Sequence, residues 1–195
     1  MAKIDTTSPE WTKYALFVSD PENQAMLVSG GLLLKDITKA AISFMSRNTA
    51  TAMVKASEVG MEWGQGNMKQ GMPWEDYVGK SLPADARLPP NFKTFDYYDG
   101  ATKTAVSAKL MDTQTMAKLA NPNQVYSSIK GNVDAAAKFK EYALSERELT
   151  SSMITNKEIQ LAVPANTTKT QWAEINRAIE YGKSQGVKVT VTQVK

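Results

Sequence analysis

The chain has 195 residues, 42% hydrophobic and 22% charged, with a formal net charge of +3, which suits a soluble domain large enough to bury a core. It holds no cysteine and no histidine, so disulfides, thiol nucleophiles, Cys/His zinc sites and the commonest general base are excluded. Any catalysis must use carboxylates, lysines, hydroxyls or a metal held by oxygen.

From Asn23 to about Val59 the text favours helix, with a weak point at Gly30-Gly31 and Ala40, Ala41, Phe44 and Met45 at helical spacing. Its apolar run, Gln24 to Met45, is broken by Lys35, Asp36 and Lys39, too soon to span a bilayer. Stable membrane insertion is therefore not expected. "VGMEWGQGNMKQGMP", Val59 to Pro73, carries four glycines and reads as a linker. This places a boundary between a helical segment, 1–60, and a second domain, 61–195.

Pro73 then reads as the first turn of a helix through "MPWEDYVGKSL", with Trp74, Tyr77 and Val78 as its apolar face and Glu75 off that face. A proline-rich connection leads to "FDYYDGATKTAVSAKLMD", Phe95 to Asp112. It reads as a hairpin, with strands over about 92–98 and 103–110 joined at Asp99-Gly100, and room for a third short strand after it. Asn121 and Pro122 open a helix that the spacing of Val125, Ile129, Val133 and Ala136 carries to Leu144. "ELTSSMITNKEIQLAVP" reads as a second hairpin turning at Thr155-Asn156-Lys157. A capped helix over 167–186 and an alternating strand, Val187 to Val194, complete the chain. This order predicts an α/β (α+β) fold, a mixed sheet flanked by helices.

The first hairpin carries an acid, Asp96, and a lone lysine, Lys109. Residues two apart on a strand share a face, so Ser107 and Lys109 point together, away from Val106 and Ala108. With one core face, Ser107 and Lys109 would project from the opposite side. Asp96, on the adjacent strand, comes within about 5 Å of such neighbours. A carboxylate beside a lysine can hold a divalent ion, polarise a water and stabilise a phosphodiester under attack. Asp99, beside Gly100, reads as a turn residue. Lys80, Lys103, Lys130, Lys138 and Lys140 read as solvated lysines or a phosphate-binding rim. Trp63, Trp74 and Trp172 read as packing residues.

An acid on one strand followed by x-Lys on the next resembles the PD-(D/E)XK nuclease superfamily, to which many restriction enzymes belong, with its αβββαβ core. The usual second acid, two positions before the lysine, is replaced by Ser107, and Glu75 on the preceding helix stands where some members compensate. The set Glu75, Asp96, Ser107 and Lys109, at spacings of 21, 11 and 2 residues, is most similar to a nuclease subgroup among the C-terminal toxins of contact-dependent growth inhibition (CDI). The resemblance covers residues from about 60 to the end.

It implies that Glu75 and Asp96 bind a divalent ion (Zn²⁺ or Mg²⁺), that Lys109 orients the attacking water or stabilises the transition state, and that Ser107 supports the site. It also implies that residues 1–60 are the tail of a module carrying the toxin into the target-cell cytoplasm, and that the whole belongs to a larger cell-surface protein. The expected substrate is DNA, with tRNA as the alternative. The expected partner is a cognate immunity protein, gripped through the second hairpin at Leu149, Met153, Ile154, Lys157 and Ile159. A non-catalytic adaptor of the same fold, or a repair or restriction nuclease, remains the competing reading.

Overall fold

The computed structural model describes residues 52–195. The chain divides into two units, 1–50 and 51–195. The helix and weak point read before residue 52 lie outside the described residues. Among the described residues, no helix is long and apolar enough to cross a membrane.

The elements in chain order are β1 (Ala52–Val54), α1 (Ala56–Val59), α2 (Asn67–Gly79), β2 (Tyr97–Asp99), β3 (Thr104–Leu110), α3 (Met116–Ala120), α4 (Asn123–Ala137), β4 (Glu141–Leu144), β5 (Arg147–Thr150), a 3₁₀ turn (Ser151–Met153), β6 (Asn156–Pro164), α5 (Lys169–Ser184) and β7 (Val187–Val194). Five strands form one mixed sheet in the order β1-β7-β6-β3-β2, and β4-β5 form a separate two-stranded sheet. Neighbours β1, β7, β6 and β3 run parallel, and β2 is antiparallel to β3.

Both faces of the sheet are covered, which explains why β6 and β7 read as nearly continuous apolar runs. On one face Ala105, Ile159, Leu161, Val187, Val189 and Val191 pack with Val125, Ile129 and Val133 of α4 and Ile175 and Ala178 of α5. On the other, Val106, Ala108, Ala162 and Val194 pack with Val59, Trp74 and Val78 of α1 and α2. The mixed sheet between helices is the predicted α/β architecture.

Several elements differ from the sequence reading. Residues 52–54 form strand rather than helix, because β7 offers a free edge: Ala52 pairs with Thr192 and Val54 with Val194. Helix α2 begins at Asn67, six residues before Pro73, so the stretch read as linker is partly helical. Burial holds that turn in place: Gln70 is buried, and its Nε2 donates to the Glu62 carbonyl at 2.9 Å. Pro73 lies inside the helix and removes the bond its missing N–H would make to Lys69. No third strand follows β3. Asp112 instead turns the chain, its Oδ1 accepting from Gln114 N at 2.8 Å, and only β2 and β3 lie between α2 and α4.

Helix α4 stops at Ala137 rather than Leu144, because Glu141–Leu144 pairs with Arg147–Thr150. Thr155-Asn156-Lys157 is no hairpin turn. Asn156 opens β6, the central strand, paired in parallel with β3 and β7. The second hairpin is therefore β4–β5, not 148–163. It turns at Ser145 and Glu146, both with left-handed φ (48° and 63°), the backbone that tight hairpin turns require.

Candidate active site

The candidate residues come together at the β2 edge of the sheet, where β2 diverges from β3. Tyr97 pairs with Val106 as the last regular rung. At the next residue, Asp96, the backbone N–H donates to Val106 O at 2.9 Å and the carbonyl accepts from Leu88 N at 3.0 Å. Its Oδ2 accepts the N–H of Ala108 at 2.8 Å. The carboxylate thus replaces a strand partner, which satisfies a ladder donor left over at the sheet edge. The same oxygen accepts from Lys109 Nζ at 3.3 Å. Asp96 keeps 19% of its side-chain surface and Lys109 33%, so the pair is shielded but reachable.

Glu75 arrives from α2. The helix is fixed by Trp74, buried, whose indole Nε1 donates to the Gln160 carbonyl at 3.0 Å. One residue on, the Glu75 carbonyl accepts the Tyr97 hydroxyl at 2.9 Å. Gly79 makes that bond possible: a Cβ there would stand 2.6 Å from the Tyr97 oxygen. So Tyr97 on β2 holds the Glu75 backbone beside the strand that carries Asp96.

Glu75 and Asp96 line one cleft of about 410 Å³ with Gly71, Met72, Arg87 and the Leu88–Asn91 segment. Burial pushes both carboxyls above the usual range. For Glu75 the second cause is repulsion from Asp96. For Asp96 the attraction of Lys109 is the largest opposing cause and does not offset burial. Two close, incompletely neutralised carboxylates are the arrangement a cation relieves.

No group of three or more His, Cys, Asp or Glu side chains that could hold a metal occurs among the described residues. Two carboxylates nevertheless suffice for a hard ion that retains water among its ligands. Glu75 and Asp96 fit such an ion, and no sulfur or imidazole competes.

Ser107 is buried and donates from Oγ to the Thr94 carbonyl at 2.7 Å. The sheet has two core faces rather than one, so Ser107 does not project to solvent. It fastens the segment entering Asp96, where Thr94 has a left-handed φ of 76°. Asp99 is a turn residue, accepting from Ala101 N at 2.9 Å and from the Thr102 hydroxyl at 2.7 Å. Lys130 is held by Asp134 at 2.7 Å. Trp63 donates to Val194 O at 3.0 Å.

The residues expected to grip an immunity protein do not share a hairpin. Leu149 on β5 and Ile159 on β6 are fully buried in the core, and Ile154 packs against it. Lys157 donates to the Ala137 carbonyl at 3.0 Å, closing the end of α4, and burial lowers its pKa. Met153 alone of the five is exposed, at 38%.

Residues 70–192 match the family described as CDI toxin restriction endonuclease-like domain. The chain belongs to this family. Residues 1–42 match a second description, toxin CdiA-like, helical domain. The chain is 88% identical over its full length to deoxyribonuclease CdiA-o11 of Escherichia coli O157:H7 (strain EC869), and 71% to deoxyribonuclease CdiA of Yersinia pseudotuberculosis serotype O:3 (strain YPIII). It spans 52% of the first relative's length and 18% of the second's. Among solved structures, a CdiA-CT/CdiI toxin and immunity complex from Yersinia pseudotuberculosis aligns with a TM-score of 0.60 at 73% identity, covering 64% of this chain and all of the other. Divalent-metal dependence is general to restriction-endonuclease-like domains.

Sequence reasoning missed Arg87 and Tyr97. Arg87 lies in the proline-rich connection, where no strand was expected. The backbone brings it to the cleft by bridging to Tyr97 in antiparallel fashion.

Proposed function

We propose that the chain is a divalent-metal-dependent deoxyribonuclease toxin of contact-dependent growth inhibition. It acts in the cytoplasm of neighbouring bacteria and is neutralised by a cognate immunity protein. The observation that carries this reading is the convergence of Glu75 and Asp96 on one cleft, with Lys109 paired to Asp96, in a chain whose relatives are named deoxyribonucleases.

Glu75 and Asp96 would hold the ion. When bound, it supplies Lewis-acid stabilisation of phosphate charge and a water of lowered pKa. Lys109, held by Asp96, orients the attacking water or donates to a phosphate oxygen as negative charge grows. Water adds to phosphorus, one P–O ester bond breaks, and a proton goes to the leaving oxygen. Ser107 keeps Asp96 in place rather than meeting substrate. Oxygen-only donors suit Mg²⁺, and carboxylates also bind Zn²⁺. The residues before β1 serve as the tail of the module that delivers the toxin, whereas β1 and α1, which the sequence reading assigned to that tail, belong to the sheet and core of the second unit. Strand addition to the immunity protein has its open edge in the β4–β5 hairpin, which lies outside the main sheet.

Supercoiled plasmid and total tRNA, each incubated with Mg²⁺, Zn²⁺ or EDTA, test the reading. Plasmid nicking that disappears with EDTA and with Lys109→Ala is expected. Cleavage of tRNA alone would move the substrate to RNA. Cleavage of neither in any metal would favour a binding module.

A further inference from the structure

We propose that Arg87 is a phosphate-binding residue of this cleft, held ready by Asp76. The inference rests on the nuclease reading above and assigns the site a second cation beside Lys109.

Arg87 lines the same cleft as Glu75 and Asp96. Its backbone position is fixed on both sides of Tyr97: Tyr98 N donates to Ala86 O at 2.7 Å and Leu88 N to Asp96 O at 3.0 Å. The side chain is therefore set by the same strand that sets Asp96. Among the described residues it makes one hydrogen bond, from NH1 to Asp76 Oδ1. Its guanidinium carbon stands 5.7 Å from the centre of the Tyr97 ring. NH2 approaches Glu75 Oε2 only to 3.8 Å, beyond a hydrogen bond.

A guanidinium has five N–H donors in a rigid fork that matches phosphate oxygens. Here one edge is committed to Asp76, and the side chain keeps 45% of its surface. Asp76, which does not line the cleft, steadies one edge, while NH2 stands in a loose ion pair with Glu75 and has no hydrogen bond that a phosphate oxygen would have to displace. Asp76 is thus a positioning residue and Arg87 touches substrate.

The test uses the full chain on a Lys109→Ala background, which keeps both carboxylates and suppresses cleavage. Binding to a short DNA duplex in Mg²⁺ is followed by fluorescence anisotropy across a salt series. Arg87→Gln should weaken binding and flatten the slope of log K against log salt by about 0.9, one phosphate contact. Arg87→Lys should keep the slope and still bind a few-fold more weakly, because lysine lacks the fork. Asp76→Asn should keep the slope.

An unchanged slope and affinity in Arg87→Gln, with its melting temperature preserved, would overturn the proposal. Should Arg87→Gln fail to fold, Arg87→Lys decides, and binding as tight as the parent's overturns it. Plasmid cleavage by the unmodified chain is run in parallel. Its failure overturns the nuclease reading, whereas cleavage with an unaltered salt slope removes only Arg87.

Discussion

Two polar clusters in this domain invite comparison, one beyond the C-terminal ends of β3 and β6 and one at the β2 edge. In the first, Thr113 and Thr167 share a hydroxyl hydrogen bond of 2.8 Å, and the Thr167 hydroxyl donates to Pro164 O at 2.6 Å. Gln171, fully buried, donates to Thr113 O at 2.7 Å and accepts from Thr168 N at 3.0 Å, completing a capping box on α5. Every member is neutral and paired, so burial costs little and the network fixes the loop after β3 against the start of α5. In the second cluster the groups are charged and half-shielded. Lys109 does not cancel the burial of Asp96, and Asp96 raises Glu75 further. The first cluster is complete by itself. The second carries charge that burial disfavours, which marks it as a candidate site rather than a structural network.

Removing charge from the second cluster should give the largest effect. Asp96→Asn should lower plasmid cleavage by more than about 10²-fold, since even partners one shell outside a metal ligand cost about 10–100-fold. With metal chelated, its melting temperature should equal or exceed the parent's, because the ionised Asp96 is disfavoured in the fold. A lower melting temperature would mean that the Lys109 pair stabilises more than burial costs.

The same shifts fix a pH dependence. Both carboxyls must ionise to hold a cation, and both titrate above the ordinary carboxylate range. Cleavage should therefore fall on the acid side while exposed carboxylates are still charged, approaching about tenfold per pH unit for each required proton. The stability sign is opposite. The folded pKa exceeds the unfolded one, so the metal-free fold takes up protons preferentially, and this contribution grows as pH falls through the folded values. Comparing chelated melting curves of the parent and Asp96→Asn isolates the Asp96 share.

The first cluster should behave in reverse. Gln171→Ala should destabilise by about 2–4 kcal/mol, combining a lost cap with buried partners left unpaired, while the cleavage rate of the folded fraction stays near the parent's. Chemical denaturation and plasmid nicking read the two quantities separately. A large loss of rate at unchanged stability would erase the contrast.

What the sequence could disclose follows the same division. Asp96 and Lys109 stood out as candidates because charges interrupt apolar text there, Glu75 only through the family resemblance, and α5 because Thr168 and Gln171 write its cap locally. The β4–β5 hairpin was not, since Ser145-Glu146 adopts left-handed φ with neither glycine nor asparagine to announce it. Thr155-Asn156-Lys157 has the chemistry of a turn, yet Thr155 N and Asn156 N both donate to Lys103 O, at 2.8 and 3.1 Å, which draws the segment beside β3. The start of α2 was hidden because proline at the first turn is the local rule, and burial of Gln70 and Trp74 overrides it. Arg87 was hidden because its place depends on a single backbone bridge to Tyr97, which no periodicity records.

Ser107 lies between the two clusters in kind, neutral and buried but attached to the charged site. Its hydroxyl holds the Thr94 carbonyl at 2.7 Å, two residues before Asp96, where the backbone is in a left-handed conformation. Ser107→Ala should leave that carbonyl short of a partner at a cost of about 1–3 kcal/mol. Because Asp96 is also pinned by Ala108 N and by two backbone bonds, cleavage should fall by less than about tenfold, mostly through misplacement of the carboxylate. Ser107→Thr keeps the hydroxyl in a site with little spare volume, so it should recover rate better than stability. A loss as large as that of Asp96→Asn, with the fold intact, would move Ser107 from the supporting frame into contact with substrate or metal.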